Sequence, residues 1–311
     1  MRLLRIKKIM RVDGILLLNK PTGISSNSAL QKTKRLLKAD KAGHTGCLDP
    51  LASGMLPICL GEATKFSRFF IEEDKQYTVE VRLGITTTTG DGEGEIVTSQ
   101  PVPVFDRAEI EAILERFTGT QTQIPPMYSA VKHNGQPLYK LARRGIEIPR
   151  KSRTITIHEL VLTHCEHETF MMTVTCSKGT YIRTLVEDIG KVLGCGAYVK
   201  MLHRLWVAPF QRHEMISLEQ LLDYNDSADI PLLSLQTILS QLLPSITLEP
   251  EAAFKLCRGQ VIPYEHEKAI GDVMLLDPLG EFIGIGEIAT NQLVPKRLLA
   301  KTSENKECVS V

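Results

Sequence analysis

Apolar and polar residues alternate along this chain in patterns that predict its strands. An apolar run at residues 14–18 predicts a buried strand over residues 14–19, and the Lys-Pro-Thr-Gly that follows predicts a turn. Alternation of apolar and polar residues predicts half-buried strands at residues 77–83, 153–162 and 170–176. A less regular segment at residues 199–210 predicts one more strand.

Apolar residues at helical spacing predict four helices. One of the polar residues at positions 25–27 caps a helix that ends near residue 38, and Asp106 caps a helix over residues 107–117. Two more helices are predicted over residues 62–70 and 181–193.

The remaining segments indicate how the chain is divided. Residues 86–94 are rich in threonine and glycine, and we expect a loop that does not pack. The residues before Val12 are expected to be an extension, and residues 225–243 a connection. From residue 246 onward, short strands and glycine turns predict a small β-rich domain of roughly 60 residues.

Composition excludes several classes of protein. The 311 residues are 43% apolar and 23% charged, which argues against disorder over most of the chain. No stretch approaches the roughly 20 uninterrupted apolar residues of a membrane-spanning helix, and the basic N-terminus lacks the apolar core of a signal peptide. The seven cysteines form no Cys-x-x-Cys pair. We therefore expect a cytoplasmic protein with reduced thiols and no membrane partner.

Charge is segregated along the chain although the net charge is only +1. Residues 1–68 have a net charge of +9 and residues 132–153 a net charge of +6, whereas the rest of the chain is acidic. Basic blocks of this kind are the electrostatic footprint of a nucleic-acid partner, or they are solvated surfaces without a partner.

The strongest candidate for chemistry is Asp49, which lies in a glycine-rich segment directly before Pro50. A carboxylate displayed on such a loop can act as a nucleophile or a base. Asp before Pro is equally typical of a helix cap, and the spacing favours neither interpretation. Arg183, at the start of a predicted helix, could keep Asp49 ionised by pairing with it, which the sequence does not decide.

A second candidate site is the basic insertion, residues 124–153, in which cations alternate with tyrosines. This mixture suits looped RNA, where cations meet phosphates and aromatic rings stack on bases, and it also suits an ordinary exposed hairpin or helix. His164, Cys165 and His167 are close in sequence, but alternation along a strand would separate the two histidines, so no metal site is predicted.

Several ordered motifs resemble the bacterial tRNA pseudouridine synthase B (TruB) family. The segment Gly-His-Thr-Gly-Cys-Leu-Asp-Pro-Leu-Ala-Ser-Gly at residues 43–54 is similar to the family's signature loop. Asn19 stands where the family's first motif more often has Asp. The other segments that resemble family motifs are residues 18–21, 75–84, 123–150, 177–184 and 194–197.

The resemblance implies an α+β fold with a mixed, mostly antiparallel central sheet. It implies a catalytic domain over residues 12–243, which includes the basic insertion, and a PUA-like RNA-binding domain over residues 246–305. The implied reaction isomerises uridine 55 in the T-arm loop of tRNA to pseudouridine. No cofactor or metal is expected, because nothing is oxidised and no group is transferred to another molecule.

The same resemblance implies roles for individual residues. Asp49 corresponds to the nucleophile, attacking the base or the sugar, and Arg183 would pair with it. Tyr77 would stack on the flipped base and assist deprotonation at C5. His44 would fill the space that the uridine leaves. Residues implied to line or support the pocket are Tyr181, Leu202 and Lys20, and those implied to bind RNA are Lys132, Arg143, Arg144 and Arg150.

Two hypotheses from other classes stay open. An RNA-binding or RNA-folding protein without turnover would tolerate replacement of Asp49. A nucleoside or glycan hydrolase would release free uracil or sugar, but it has no need of the basic insertion. With no extended apolar seam, a monomer without an obligatory protein partner is expected.

Overall fold

The computed structural model describes residues 12–224, 229–264 and 271–300. The expected N-terminal extension and part of the expected connection therefore lie outside the described residues. The elements up to the basic insertion are, in chain order, β1 Gly14–Lys20, α1 Ser26–Leu36, β2 Ala42–His44, β3 Ser53–Leu60, a 3₁₀ helix Gly61–Phe66, α2 Arg68–Ile71, β4 Lys75–Leu83, β5 Ile85–Thr87, β6 Ile96–Ser99, α3 Arg107–Glu115 and β7 Gly119–Gln123.

The second half of the chain contains the basic insertion, the end of the large sheet and a second sheet. Its elements are β8 Lys132–His133, β9 Gln136–Pro137, α4 Leu138–Ala142, β10 Arg153–Cys165, β11 Thr169–Cys176, α5 Ile182–Leu193, β12 Ala197–Val207, α6 Leu218–Asp223, α7 Leu235–Leu239, β13 Ser245–Thr247, α8 Pro250–Cys257, β14 Ile262–Pro263, β15 Gly271–Leu276, β16 Phe282–Ala289 and β17 Gln292–Leu298.

An eight-stranded sheet forms the centre of the molecule, in the order β1-β3-β12-β4-β11-β10-β7, with β2 paired to β3. Its pairings are antiparallel except the short parallel contact between β12 and β3, where Arg204 lies opposite Gly54. This contact brings the strand after the Asp49 segment beside a strand from much later in the chain. The predicted α+β class with a mixed, mostly antiparallel sheet is confirmed.

Apolar faces of the helices cover the large sheet. Helices α3 and α5 contribute to one core with β4, β10 and β11, and α1 and α6 contribute to another with β1 and β3. The C-terminal five-stranded sheet, β13-β15-β16-β17-β14, meets the large sheet through a shared apolar cluster in which Phe66 packs on Phe282 with ring centroids 5.4 Å apart.

Most elements predicted from periodicity are present. Ser25 and Asp106 cap α1 and α3, and the Asp106 cap is completed by Glu109. The alternating segment 77–83 is the central strand β4, buried at every second residue. The predicted helix at 62–70 is divided into a 3₁₀ turn and the short α2. The predicted domain boundaries stay predictions, and residues 265–270 and 301–305 of the second domain lie outside the described residues.

Candidate active site

Asp49 lies on the loop that connects β2 to β3, residues 45–52, which we call the Asp49 loop. The residues after Asp49 turn, with the Ala52 amide donating to the Asp49 carbonyl at 3.1 Å, and then enter strand β3. No helix begins within this segment, so the interpretation of Asp49 as a helix cap is wrong. Its side chain remains 42% exposed, so that a molecule outside can reach the carboxylate.

Elements on one side of the Asp49 loop fix its backbone. The Ser26 hydroxyl donates to the Leu48 carbonyl at 2.9 Å and accepts from the Leu48 amide at 2.7 Å. The Gly23 amide donates to the Pro50 carbonyl at 2.8 Å. Lys20 is fully buried, and its ammonium donates to the carbonyls of Pro21 and Ile24 at 2.8 and 2.7 Å, with Pro50 at 3.5 Å. Lys20 therefore joins the turn after β1 to the Pro50 end of the Asp49 loop.

Arg204, on β12, holds the loop from beneath, and sequence reasoning missed it. Its side chain is buried, and Nε donates to the Met55 carbonyl at 2.7 Å. The two terminal nitrogens face the carbonyls of Cys47 and Gly46 at 3.4 and 3.5 Å. Gly54 has φ +100°, and a Cβ there would lie 2.2 Å from the Arg204 carbonyl oxygen, so this close approach requires glycine.

Arg183 pairs with Asp49, the outcome that the sequence left open. Arg183 Nε lies 3.0 Å from Asp49 Oδ2, and the arginine side chain is only 6% exposed. The guanidinium also donates to the carbonyls of Thr89 at 2.9 Å and Tyr128 at 2.8 Å. These contacts fix the direction of the guanidinium, since each nitrogen has its own acceptor.

Asp91 is a second carboxylate beside Arg183, with Oδ2 3.7 Å from Nη1, and its side chain is buried. It lies in the segment 86–94 that we expected to be unpacked. That expectation is wrong at Thr87 and Asp91, because Thr87 donates to the Asp91 carbonyl at 2.7 Å and Gly92 donates to the Val199 carbonyl. These hydrogen bonds bury Thr87 and Asp91 within a glycine-rich segment that has no apolar periodicity.

The charges around Asp49 oppose one another. Burial raises the pKa of Asp49, Arg183 opposes that rise, Asp91 adds to it, and Lys20 opposes it. Burial also lowers the pKa of Lys20 to about 8, against a smaller opposite effect of Asp49. Asp49 is therefore a partly desolvated carboxylate whose pKa is raised by burial and Asp91 and whose main counter-charge is Arg183.

Tyr77 and Leu202 lie beneath the Asp49 loop on neighbouring strands. Both side chains are buried in the core that also contains Leu48 and Ala52 of the loop. Burial raises the pKa of Tyr77, whereas the nearby Arg204 guanidinium, which also reaches the phenol oxygen, lowers it. The structure thus brings Asp49, Tyr77, Arg183 and Leu202 to one place.

His44 and Tyr181 flank this centre. His44 ends β2, and its Nδ1 is buried with no hydrogen-bond partner among the described residues. Burial and the Arg204 charge lower the pKa of His44, which favours the neutral imidazole. Tyr181 immediately precedes α5; the Gln123 side chain bonds both its amide and its carbonyl, and Arg153 lies 5.5 Å from its ring centroid.

The basic insertion forms the small hairpin β8–β9 and helix α4, with most of its cations at the surface. Lys132, Arg143 and Arg144 are exposed, and Arg143 lies 5.5 Å from the ring centroid of Tyr139. Arg150 differs, because it pairs with Glu147 at 2.8 Å and donates to the Pro125 carbonyl at 3.2 Å. Three of the four predicted RNA-binding cations are thus unengaged by carboxylates of the described residues, and the fourth supports the insertion itself.

Within the described ranges, no three His, Cys, Asp or Glu side chains are grouped as metal ligands. His164, one of the three residues considered for a metal site, pairs with Glu166 at 3.1 Å. No helix there has the length and apolar character to cross a membrane.

This arrangement is suited to attack by a carboxylate on an electrophile of limited size. The Asp49 loop is fixed by hydrogen bonds from three directions, so little reorganisation is needed when a substrate binds. An aromatic ring and aliphatic side chains lie beside the carboxylate, and a basic surface lies on the insertion. A flat, electron-poor ring attached to a phosphate-bearing chain fits these features.

Family models match nearly the whole chain. Residues 34–182 match the N-terminal domain of TruB family pseudouridylate synthases, and residues 183–244 match the C-terminal domain of tRNA pseudouridylate synthase B. Residues 244–299 match the C-terminal region of pseudouridine synthase II TruB.

Curated relatives agree with these family matches. The tRNA pseudouridine synthase B of Coxiella burnetii (strain RSA 493) is 51% identical over 296 residues, covering 93% of this chain and 96% of that protein. The enzyme of the same name from Methylobacillus flagellatus is 50% identical over 304 residues, covering 97% and 100%.

Two solved structures share the fold at lower identity. A Cbf5-Nop10-Gar1 complex matches with a TM-score of 0.69 at 24% identity, covering 90% of this chain and 79% of that one. An H/ACA RNP bound to a substrate RNA containing 2′-deoxyuridine matches with a TM-score of 0.70 at 20% identity, covering 93% and 85%. Fold, motifs and full-length identity lead to one conclusion: the chain belongs to the TruB family of pseudouridylate synthases.

Proposed function

We propose that this protein is a tRNA pseudouridine synthase that isomerises uridine 55 in the T-arm loop of tRNAs. The observation that supports this most is the 3.0 Å pair between buried Arg183 and the partly exposed Asp49, on a loop fixed by its neighbours. Membership of the TruB family also supports the proposal, as does the name shared by relatives that are 50–51% identical in sequence.

The reaction needs only the groups of the site and the substrate. Asp49 adds to the uracil ring or to the anomeric carbon of the ribose, and the bond between N1 and C1′ breaks. The base turns, a bond forms between C5 and C1′, and Asp49 leaves as a carboxylate. The C5 proton is then lost and N1 gains a proton, so the product is an isomer of the substrate and no electrons are exchanged.

Arg183 and Tyr77 assist Asp49 in this proposal. Arg183 keeps Asp49 ionised against the desolvation that raises its pKa, and directs one carboxylate oxygen outward. Tyr77 stacks on the flipped uracil and assists removal of the C5 proton. Its burial beside Arg204 gives it a fixed orientation for both tasks.

The surrounding residues receive the flipped base. Uridine 55 must leave the stacked T loop, which costs a few kcal/mol, and contacts with aromatic and apolar faces recover part of this cost. Tyr181 and Leu202 line the pocket, Lys20 supports the turn behind Asp49, and His44 occupies the space that the uridine vacates. A neutral His44 suits that task, since it fills an apolar gap between bases without desolvating a charge.

The basic insertion binds the phosphates of the T-arm stem-loop. Lys132, Arg143 and Arg144 are exposed cations, so they can contact phosphates without breaking ion pairs within the protein. Arg150 is included as the fourth contact, although part of its bonding capacity is used by Glu147. In this proposal the protein acts as a cytoplasmic monomer, without cofactor, metal or protein partner.

Tritium release tests the proposal. An unmodified tRNA transcript with tritium at C5 of its uridines is incubated with the protein in the absence of metal and cofactor. We expect release to stop near one tritium per tRNA and to vanish when uridine 55 is replaced by cytidine. Tight tRNA binding without release would favour the RNA-binding hypothesis, and free uracil as product would favour the hydrolase.

A further inference from the structure

Arg204 is an unusual residue for the interior of a protein. It is only 1% exposed, on the central strand β12. No carboxylate in the described ranges 12–224, 229–264 and 271–300 forms an ion pair with it; its bonds go to backbone carbonyls instead. A buried cation without a carboxylate is costly, so its presence indicates a role beyond packing.

The acceptors of Arg204 all belong to the active site or its borders. Met55, whose carbonyl accepts from Nε at 2.7 Å, lies in the strand that follows the Asp49 loop. Cys47 and Gly46, at 3.4 and 3.5 Å, precede Asp49 within that loop. Tyr77 lies opposite Arg204 in the pairing of β12 with β4, and the nearby guanidinium lowers the pKa of its phenol against the effect of burial.

We propose that Arg204 is a positioning residue for the isomerisation: its guanidinium fixes the Asp49 loop and Tyr77 relative to each other, without touching the substrate. Arginine suits this task because its planar group donates in several fixed directions at once. A lysine at the same position keeps the charge but presents one rotating ammonium, and it cannot serve the carbonyls on both sides of Asp49 together.

The kinetic consequence rests on the proposed function. Loss of the guanidinium leaves the carbonyls of Gly46, Cys47 and Met55 without this donor, and we expect the loop to shift or loosen. A misplacement of about 1 Å in a reacting group can reduce the rate about 100-fold. The hydrogen bonds of Arg204 go to Gly46, Cys47 and Met55 and not to the basic insertion, which is proposed to bind the RNA backbone, so tRNA affinity is expected to remain.

Three variants test the proposal: Arg204→Met, Arg204→Lys and, as a matched control, Lys75→Met. Lys75 is also a buried cation bonded to backbone carbonyls, those of Ile71 at 3.0 Å and Glu73, but it does not touch the Asp49 loop. Single-turnover tritium release and tRNA dissociation constants are measured for each variant at a temperature where it is folded. Hydrogen exchange is measured for the amides of Thr45, Leu48 and Ala52.

We expect Arg204→Met to lower the single-turnover rate about 100-fold, with a change in Kd of less than about threefold. Arg204→Lys is expected to recover about tenfold of that loss, and Lys75→Met to stay within about twofold of the wild type. The loop amides should exchange faster in both Arg204 variants and not in Lys75→Met. If Arg204→Met does not fold, the single-turnover rate and the hydrogen exchange of the loop amides are measured in Arg204→Lys instead.

The proposal is overturned by a rate within threefold of the wild type in Arg204→Met, by an equal rate loss in Lys75→Met, or by unchanged exchange of the loop amides. A wild-type protein that releases no tritium would contradict the proposed function instead. In that case hydrogen exchange still decides whether Arg204 fixes the loop.

Discussion

The Asp49 loop and the basic insertion differ in how they are held. The Asp49 loop is bonded to its neighbours from several directions: by Ser26 and Lys20 on one side, by Arg204 beneath it and by Arg183 at the carboxylate. The cations of the insertion instead extend into solvent, and only Arg150 has a carboxylate partner in the described part of the chain.

This difference matches the role that we propose for each region. Covalent chemistry depends on the position of one atom, which fixed hydrogen bonds provide. Phosphate binding depends on charge at the surface, which needs cations that are free to reach the backbone of the RNA. Substitutions near Asp49 should therefore change the rate, and substitutions in the insertion should change affinity.

The largest effect on rate among the neighbours of Asp49 is expected for Arg183→Met. It removes the counter-charge of Asp49 and leaves the carbonyls of Thr89 and Tyr128 without a donor. Without its counter-charge the carboxylate is less readily ionised and less firmly oriented, and we expect a rate loss on the order of 10³-fold, equivalent to about 4 kcal/mol of transition-state stabilisation. Single-turnover tritium release measures it.

A matched control is Arg107→Met, which breaks an exposed ion pair with Glu111 on α3 and should leave the rate within about twofold. Thermal unfolding shows whether Arg183→Met is folded. A folded variant that reacts as fast as the wild type would contradict the role of Arg183 as the counter-charge of Asp49.

Asp91→Asn should have a smaller effect on rate and a distinctive effect on pH dependence. The amide keeps the shape of the side chain but removes the negative charge 3.7 Å from Arg183, and we expect about a tenfold slower reaction at neutral pH. Asp49 must be ionised to react, so activity is lost as the pH falls through its raised pKa. Because Asp91 raises the pKa of Asp49, its removal lowers that pKa.

The acidic limb of the rate profile should therefore move to lower pH in Asp91→Asn. The single-turnover rate from mildly acidic to neutral pH shows the shift. A limb that moves to higher pH would mean that Asp91 acts mainly by supporting Arg183 and not through its own charge.

In the insertion, the double variant Arg143→Gln with Arg144→Gln should weaken tRNA binding about tenfold and leave the rate at saturation unchanged. Wild-type affinity should fall steeply with added salt, and removal of two phosphate contacts should reduce the slope of log affinity against log salt by about 2. Filter binding over a range of salt concentrations measures both. Salt-independent binding by the wild type would refute a role for phosphate contacts.

The smallest effect is expected for Arg150→Gln. This arginine is already engaged by Glu147 and the Pro125 carbonyl, so less of it is available to RNA. We expect tRNA affinity to fall less than about threefold, because a partly exposed ion pair contributes little. The same binding assay decides, and a loss equal to that of the Arg143 and Arg144 pair would place Arg150 among the main RNA contacts.

Local patterns predicted the elements and the centre of the site well. The cap at Asp106, the alternation of β4 and the motif around Asp49 depend on residues close in sequence, so periodicity and spacing contain the information. Arg183 was a candidate for the same reason, since it follows a glycine turn at the start of α5, and the structure places it 3.0 Å from Asp49.

Residues that act through distant pairings could not be found in this way. Arg204 reaches Cys47 across 157 positions of sequence, and only the short parallel contact of β12 with β3 makes this possible. Asp91 lies in a segment whose composition is that of a solvent loop, yet hydrogen bonds to α5 and β12 bury it. A charged residue among the apolar residues of the predicted strand 199–210 was the available signal for Arg204.

The central claim is that Asp49 performs chemistry while other surfaces bind the RNA, and Asp49→Asn tests it most directly. Asparagine keeps the size of the side chain and removes the nucleophilic carboxylate. The account predicts no detectable tritium release from tRNA labelled at C5, with tRNA affinity within about threefold of the wild type. Release at the wild-type rate, or a loss of release matched by an equal loss of affinity, would contradict it.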